Sequence, residues 1–104
     1  MVETTKDKKA LEETFRAFLT RLDVFLDSRA VVEDAPVTIL YVQKPEEAFS
    51  EFYARGLLKI ANFAYPFEVT YDYELGVIKI DSEIFHFHMK YDEMEKFLEE
   101  HGGE

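Results

Sequence analysis

The sequence predicts a single α+β domain in the order α-β-α-β-β-β-α. It would hold a four-stranded mixed sheet, with an antiparallel three-strand meander at about residues 67–90 and helices packed on one face. Three observations lead there. Apolar residues recur every three or four positions through the N-terminal part. From Phe67 to Glu74 they alternate strictly with polar ones. No linker, repeat or low-complexity segment divides the 104 residues. A chain of that length can bury a modest core without metal or disulfide staples, and 47% hydrophobic content with ten Phe and six Tyr supports a packed globule over disorder.

From Lys6 to about Ala30 the residues Leu11, Phe15, Phe18, Leu22 and Phe25, widened by Leu19 and Leu26, form the stripe of one long amphipathic helix. Arg16, Arg21, Asp23 and Asp27 fall mainly off that stripe, on its solvated side. Such a helix persists only by burying the stripe. The segment EDAP breaks the pattern, and VTILYV, Val37 to Val42, reads as a strand apolar on both faces. A second helix is expected to open at KPEEAF, with Pro45 at its first position and Glu46 and Glu47 at the positive end of its dipole. Its stripe would be Phe49, Phe52, Tyr53, Leu57 and Ile60. Gly56 inside it costs ~1 kcal/mol relative to Ala, so another element approaches closely there or the helix bends. This helix would serve as a crossover to a parallel neighbour, ending before Pro66, which holds Tyr65 extended.

In FEVTYDYE, Phe67, Val69, Tyr71 and Tyr73 alternate with Glu68, Thr70, Asp72 and Glu74, as in a strand with one wet face. A tight turn at Leu75-Gly76 would set Tyr73 opposite Ile78 and Tyr71 opposite Ile80. A second at Ser82-Glu83 would set Ile80 opposite Phe85 and Ile78 opposite Phe87. One register then serves all three strands. A last helix, about Asp92 to Glu100, offers Met94, Phe97 and Leu98 to the core, with Gly102 as its C-terminal cap. Residues 1–5 and 102–104 are expected to be flexible ends of the single domain 1–104.

Net charge is −10, and it is uneven: residues 63–104 carry three Lys/Arg against eleven Asp/Glu. That balance disfavours direct nucleic-acid or anionic-membrane binding. The order also overlaps that of a winged helix, but a recognition helix near Ala54 to Asn62 would offer only Arg55 and Lys59 as cations. No N-terminal apolar h-region and no run near ~18 apolar residues is present, so a cytoplasmic protein is expected. The absence of Cys excludes disulfides, thiolate nucleophiles and Cys-ligated zinc. A single Asn, a single Gln and abundant Glu and Lys match the usage of thermophile proteins.

His86 and His88 lie at i and i+2 on the last predicted strand, beside carboxylates that could complete a metal site. Against this, Lys79 is expected between them and Asp72 and Glu74, and two imidazoles fall short of three or four ligands. No metal or other cofactor is expected. Nor does a catalytic motif occur. Ser28, Ser50 and Ser82 lack a nucleophile-elbow context, phosphate loops and HExxH are absent, and Tyr71 and Tyr73 belong to the core side.

Helices over one face leave the first strand's second apolar set needing a partner, unless the first helix crosses over and buries it. That outward set is Thr38, Leu40 and Val42 or else Val37, Ile39 and Tyr41. The leading expectation is therefore a non-enzymatic protein-interaction module, a homodimer or a small accessory subunit. Its contact would be made by Leu40, Val42, Val77 and Ile84 with Lys79, His86 and His88 as polar rim. An alternative reads Glu68, Asp72, Glu74, Asp81 and Glu83, continued by the acids of the last helix, as an inhibitor or nucleic-acid mimic binding a basic protein. A third reading is a small ligand or metal held at the His86/His88 face.

Overall fold

A computed structural model describes residues 8–29 and 34–101. The elements run α1 (Lys8–Thr20), α2 (Leu22–Ser28), β1 (Val37–Val42), β2 (Glu46–Ala48), β3 (Glu51–Ile60), β4 (Phe63–Asp72), β5 (Val77–Ser82), β6 (His86–Lys90) and α3 (Tyr91–His101). The α+β class stands, with the helices on one face of the sheet. The sheet itself has six strands, not four, and every pairing is antiparallel, in the order β1-β3-β4-β5-β6 with β2 also on β3. The expected ends, 1–5 and 102–104, and the Gly102 cap lie outside the described residues.

The N-terminal stripe holds as read: Phe15, Phe18, Leu22, Phe25 and Leu26 are buried together. The helix is broken at Arg21, where the Arg21 N–H donates to Phe18 O at 2.9 Å and tightens the last turn of α1. The Asp27 carboxylate then accepts the Val37 N–H at 2.7 Å and ties α2 to β1.

The expected second helix is a correction. Residues 46–60 form β2, a two-residue turn at Phe49-Ser50, and the long central β3. Spacings of three and four from Phe49 to Ile60 mimic a helix. Yet Phe52, Ala54, Leu58 and Ile60 also alternate, and it is these that are buried. Gly56 belongs to the same inward row. A Cβ there would run into the Tyr41 backbone oxygen and come within 2.6 Å of the Phe67 ring, so only hydrogen fits. With no crossover helix, β1 lies antiparallel to β3. β1 and β2 follow one another along β3 as a single interrupted edge, bulged between Ile39 and Tyr41 and broken near Pro45. Tyr65 is extended as expected, but inside β4. β5 reaches only to Ser82 opposite Phe67, so Pro66 has a neighbour strand on one side alone.

In the meander the inward sets are correct and the register is two residues out: Tyr71 faces Ile78, Val69 faces Ile80, and Ile78 faces Met89. The β4–β5 turn spans four residues, Tyr73 to Gly76, because the Asp72 carboxylate accepts the N–H groups of Glu74 and Leu75 at 3.0 and 3.1 Å. Asp72 O closes the turn by accepting the Gly76 N–H at 2.8 Å, with Gly76 at φ +70°. The β5–β6 turn is Glu83-Ile84, closed by the Ser82 N–H on Phe85 O at 3.0 Å. α3 starts on a reach-back bond, Lys90 N–H to the Glu93 carboxylate at 2.8 Å.

Aromatic rings fill the space between helices and sheet. Phe18, Phe25 and Phe97 meet edge to face at centroid distances of 5.3 to 6.0 Å, joining all three helices. Phe15 and Tyr71 meet at 6.2 Å, and Phe25 reaches Phe87 at 6.1 Å. The buried Tyr71 phenol is pushed well above its ordinary range, chiefly by desolvation and then by the neighbouring Tyr91, against which it stacks at 5.4 Å. Among the described residues no helix is long and apolar enough to cross a membrane.

Candidate functional site

All three helices pack on the inward residues, and among the described residues the opposite face of the sheet is bare. Strand alternation places on it Thr38 and Tyr41 of β1; Glu46 of β2; Glu51, Tyr53, Arg55, Leu57 and Lys59 of β3; Pro66, Glu68, Thr70 and Asp72 of β4; Val77, Lys79 and Asp81 of β5; and His86, His88 and Lys90 of β6. The first helix does not cross over to cover them.

Two cross-strand rows dominate one end of this face. Tyr41, Leu57 and Pro66 are consecutive partners across β1, β3 and β4, an apolar strip in which Tyr41 is 52% exposed. Beside it runs the row Arg55, Glu68, Asp81, His86 across β3 to β6. Glu68 and Asp81 oppose each other, an arrangement that repels unless compensated. Arg55 Nε reaches the Glu68 carboxylate at 3.3 Å, and His86 Nδ1 lies 2.8 Å from Asp81. Between strip and row opens a shallow cleft of about 490 Å³, whose lining includes Tyr41, Gln43, Arg55, Pro66, Glu68 and Asp81.

The next row is Glu46, Tyr53, Thr70, Lys79, His88, in which the Tyr53 hydroxyl donates to Glu46 at 3.0 Å. That bond holds the phenol above its usual range. Lys79 thus stands between Thr70 and His88, not between Asp72 and His86 as the sequence register implied. Among the described residues no three His, Asp or Glu side chains come together as metal ligands.

The sequence-derived contact set is not brought together. Leu40 sits at the β1 bulge, exposed, and Val42 points inward against the core. Val77 and Ile84 lie at opposite ends of β5, the first half-buried on the bare face, the second exposed in the turn. His86 and His88 are on the far edge strand, about 19 Å from β1 at four inter-strand spacings. The acidic set is scattered too. Glu68 and Asp81 are paired, Asp72 caps a turn, and Glu74 and Glu83 occupy turns at opposite ends.

Asp81 and His86 supply two members of a Ser-His-Asp arrangement, yet Ser82 points by alternation to the helix-covered face. It is 9% exposed there, and its hydroxyl has no partner among the described residues. Ser28 donates to Phe25 O at 2.7 Å, and Ser50 lies in the β2–β3 turn.

What sequence reasoning missed are Arg55, Leu57 and Pro66; Tyr41 is named only in the alternative outward set of the first strand. The three were obscured by reading the run from Pro45 as a helix that ends before Pro66. Comparison with known proteins finds no matching family model, no matching curated protein and no matching solved structure.

Proposed function

We propose that this protein is a non-enzymatic protein-interaction module that pairs through the bare face of its sheet, with a second copy of the chain as the partner its charge best fits. The observation that carries this reading is charge balance. The chain has a net charge of −10, yet among the described residues on this face Arg55, Lys59, Lys79 and Lys90 stand against Glu46, Glu51, Glu68, Asp72 and Asp81, a balance within one charge of zero. Two copies therefore meet there with little of the repulsion that their other surfaces impose. The Tyr41, Leu57, Pro66 strip forms the centre of contact and the Arg55 to His86 row its polar rim. Limiting contact to that end avoids burying the whole charged face, which would be costly.

The test is molar mass by light scattering and sedimentation equilibrium. The expected result is a dimer that Tyr41→Asp and Leu57→Asp each convert to a folded monomer, with circular dichroism and melting temperature retained. A monomer at all concentrations, or a dimer indifferent to both substitutions, overturns the self-pairing. A stoichiometric foreign subunit displaced by Tyr41→Asp would assign the same face an accessory-subunit role. The paired Asn and Gln scarcity supports a thermophilic source.

A further inference from the structure

Phe49 is 99% exposed, at the tip of the β2–β3 turn, with φ +59°. A bulky side chain rarely occupies that conformation, which is strained where no glycine relieves it. The turn is clamped all the same. The single Tyr73 O–H is shared between the Glu47 carboxylate at 2.7 Å and Phe49 O at 3.1 Å. The Tyr73 N–H donates to Ser50 O at 3.0 Å, and Lys8 reaches Glu47 at 2.9 Å. Tyr73 itself opens the β4–β5 turn, whose Leu75 is 75% exposed and whose backbone the Asp72 carboxylate fixes. Two braced turns thus abut at one end of the sheet, and each presents a large apolar side chain to water.

Among the described residues the charge of these two turns is one-sided. Glu46, Glu47, Glu51, Asp72 and Glu74 belong to the same two turns and their flanking strand ends. Lys8 is already bound to Glu47, and Lys90 stands two strands away from Asp72. An apolar tip set in carboxylates is repelled by an anionic membrane, by nucleic acid and by the same end of a second copy. It is complementary to an apolar socket whose rim carries Lys or Arg.

We propose that the Phe49 and Leu75 turns form a rigid docking knob that inserts into an apolar, basic-rimmed pocket of a different protein. This surface lies at the end of the sheet, away from the Tyr41 and Leu57 strip, and does not depend on that strip's self-association. The conformational strain at Phe49 is retained because glycine, which would relieve it, removes the anchoring ring.

The test places a photoreactive phenylalanine analogue at position 49 of the full chain, with the same analogue at exposed Glu13 of α1 as control. After illumination in source-cell extract, the cross-linked residues are identified by mass spectrometry. Adducts from position 49 are expected at apolar residues flanked by Lys or Arg on one foreign protein, absent from position 13 and reduced at high salt. With that protein purified, Phe49→Gly is expected to weaken binding tenfold or more while leaving melting temperature unchanged or raised by about 4 °C. Leu75→Ser should also weaken it. Adducts to a second copy, to lipid or nucleic acid, or to a pocket without basic residues overturn the proposal. So does a yield at position 49 no greater than at position 13, or an affinity indifferent to Phe49→Gly. Tyr41→Asp should leave this binding intact, so failure of the knob and failure of the bare-face dimer read out separately.

Discussion

Glu68 of β4 and Asp81 of β5 stand directly opposite one another, and each is engaged from its far side by a different group, Arg55 at 3.3 Å and His86 at 2.8 Å. Arg55→Ala leaves Glu68 facing Asp81 without its cation. The expected loss is below about 1 kcal/mol, since the groups are partly exposed, and it should shrink as salt rises. Asp81→Asn in the Arg55→Ala background should recover most of it. Urea unfolding of the two single variants and the double at low and high salt measures the coupling. A loss indifferent to salt would assign Arg55 a packing role over Tyr53, whose ring its guanidinium overlies at 5.9 Å.

Gly56→Ala is expected to cost about 3 kcal/mol, because a methyl group there has to displace the Tyr41 backbone and the Phe67 ring together. Adding Phe67→Leu should return only part of that, since the backbone oxygen cannot be trimmed away. Thermal unfolding of the pair decides. Full recovery would show that the ring alone sets the limit.

Ala61 adopts φ +56° in the two-residue turn between Ile60 and Phe63. Ala61→Gly is expected to stabilise by about 0.5–1 kcal/mol, the relief of the left-handed conformation less the added freedom of the unfolded chain. A lower urea midpoint for the variant would refute the account.

The Glu47 carboxyl is held below its ordinary range, first by the hydrogen bond from Lys8 and then by that from Tyr73. The Tyr73 phenol is held above its own, first by the bond to Glu47. For Glu47 the stabilising contribution is present above the unfolded carboxylate value and is lost as pH falls through the depressed one. For Tyr73 it is present below the unfolded phenol value and is lost as pH rises through the raised one. Hydrogen exchange of the amides at residues 49–51 should therefore show protection across the middle of the pH range and accelerate beyond base-catalysed expectation at both extremes. Tyr73→Phe should abolish the alkaline transition and weaken the acid one without removing it, since Lys8 still holds Glu47. Flat protection in the parent chain would mean that the clamp does not hold the turn.

The meander was legible because its side chains repeat every second residue. An error of two positions in register leaves Phe67, Val69, Tyr71, Ile78 and Ile80 on the correct side. The β3 strand was not, since the run from Phe49 to Ile60 fits both periods, and the turns that would have decided between them carry no glycine. Phe49 and Ala61 take the positive φ values that Gly or Asn ordinarily signals. The candidate site inherited that ambiguity: Arg55 and Leu57 become neighbours of Glu68 and Pro66 only once β3 is a strand. The bulge at Leu40, which turns Tyr41 outward and Val42 inward, has no local sequence mark at all.

The two borders of the sheet are unequal. The border built from β1 and β2 is bulged at Leu40 and interrupted near Pro45, whose nitrogen has no hydrogen to donate, whereas β6 pairs with β5 without a register shift from His86 to Lys90. Lateral addition to such a sheet has one usable side. Two chains can join there back to back and leave nothing for a third to extend, so unfolding stress should yield finite, soluble associations in place of fibres.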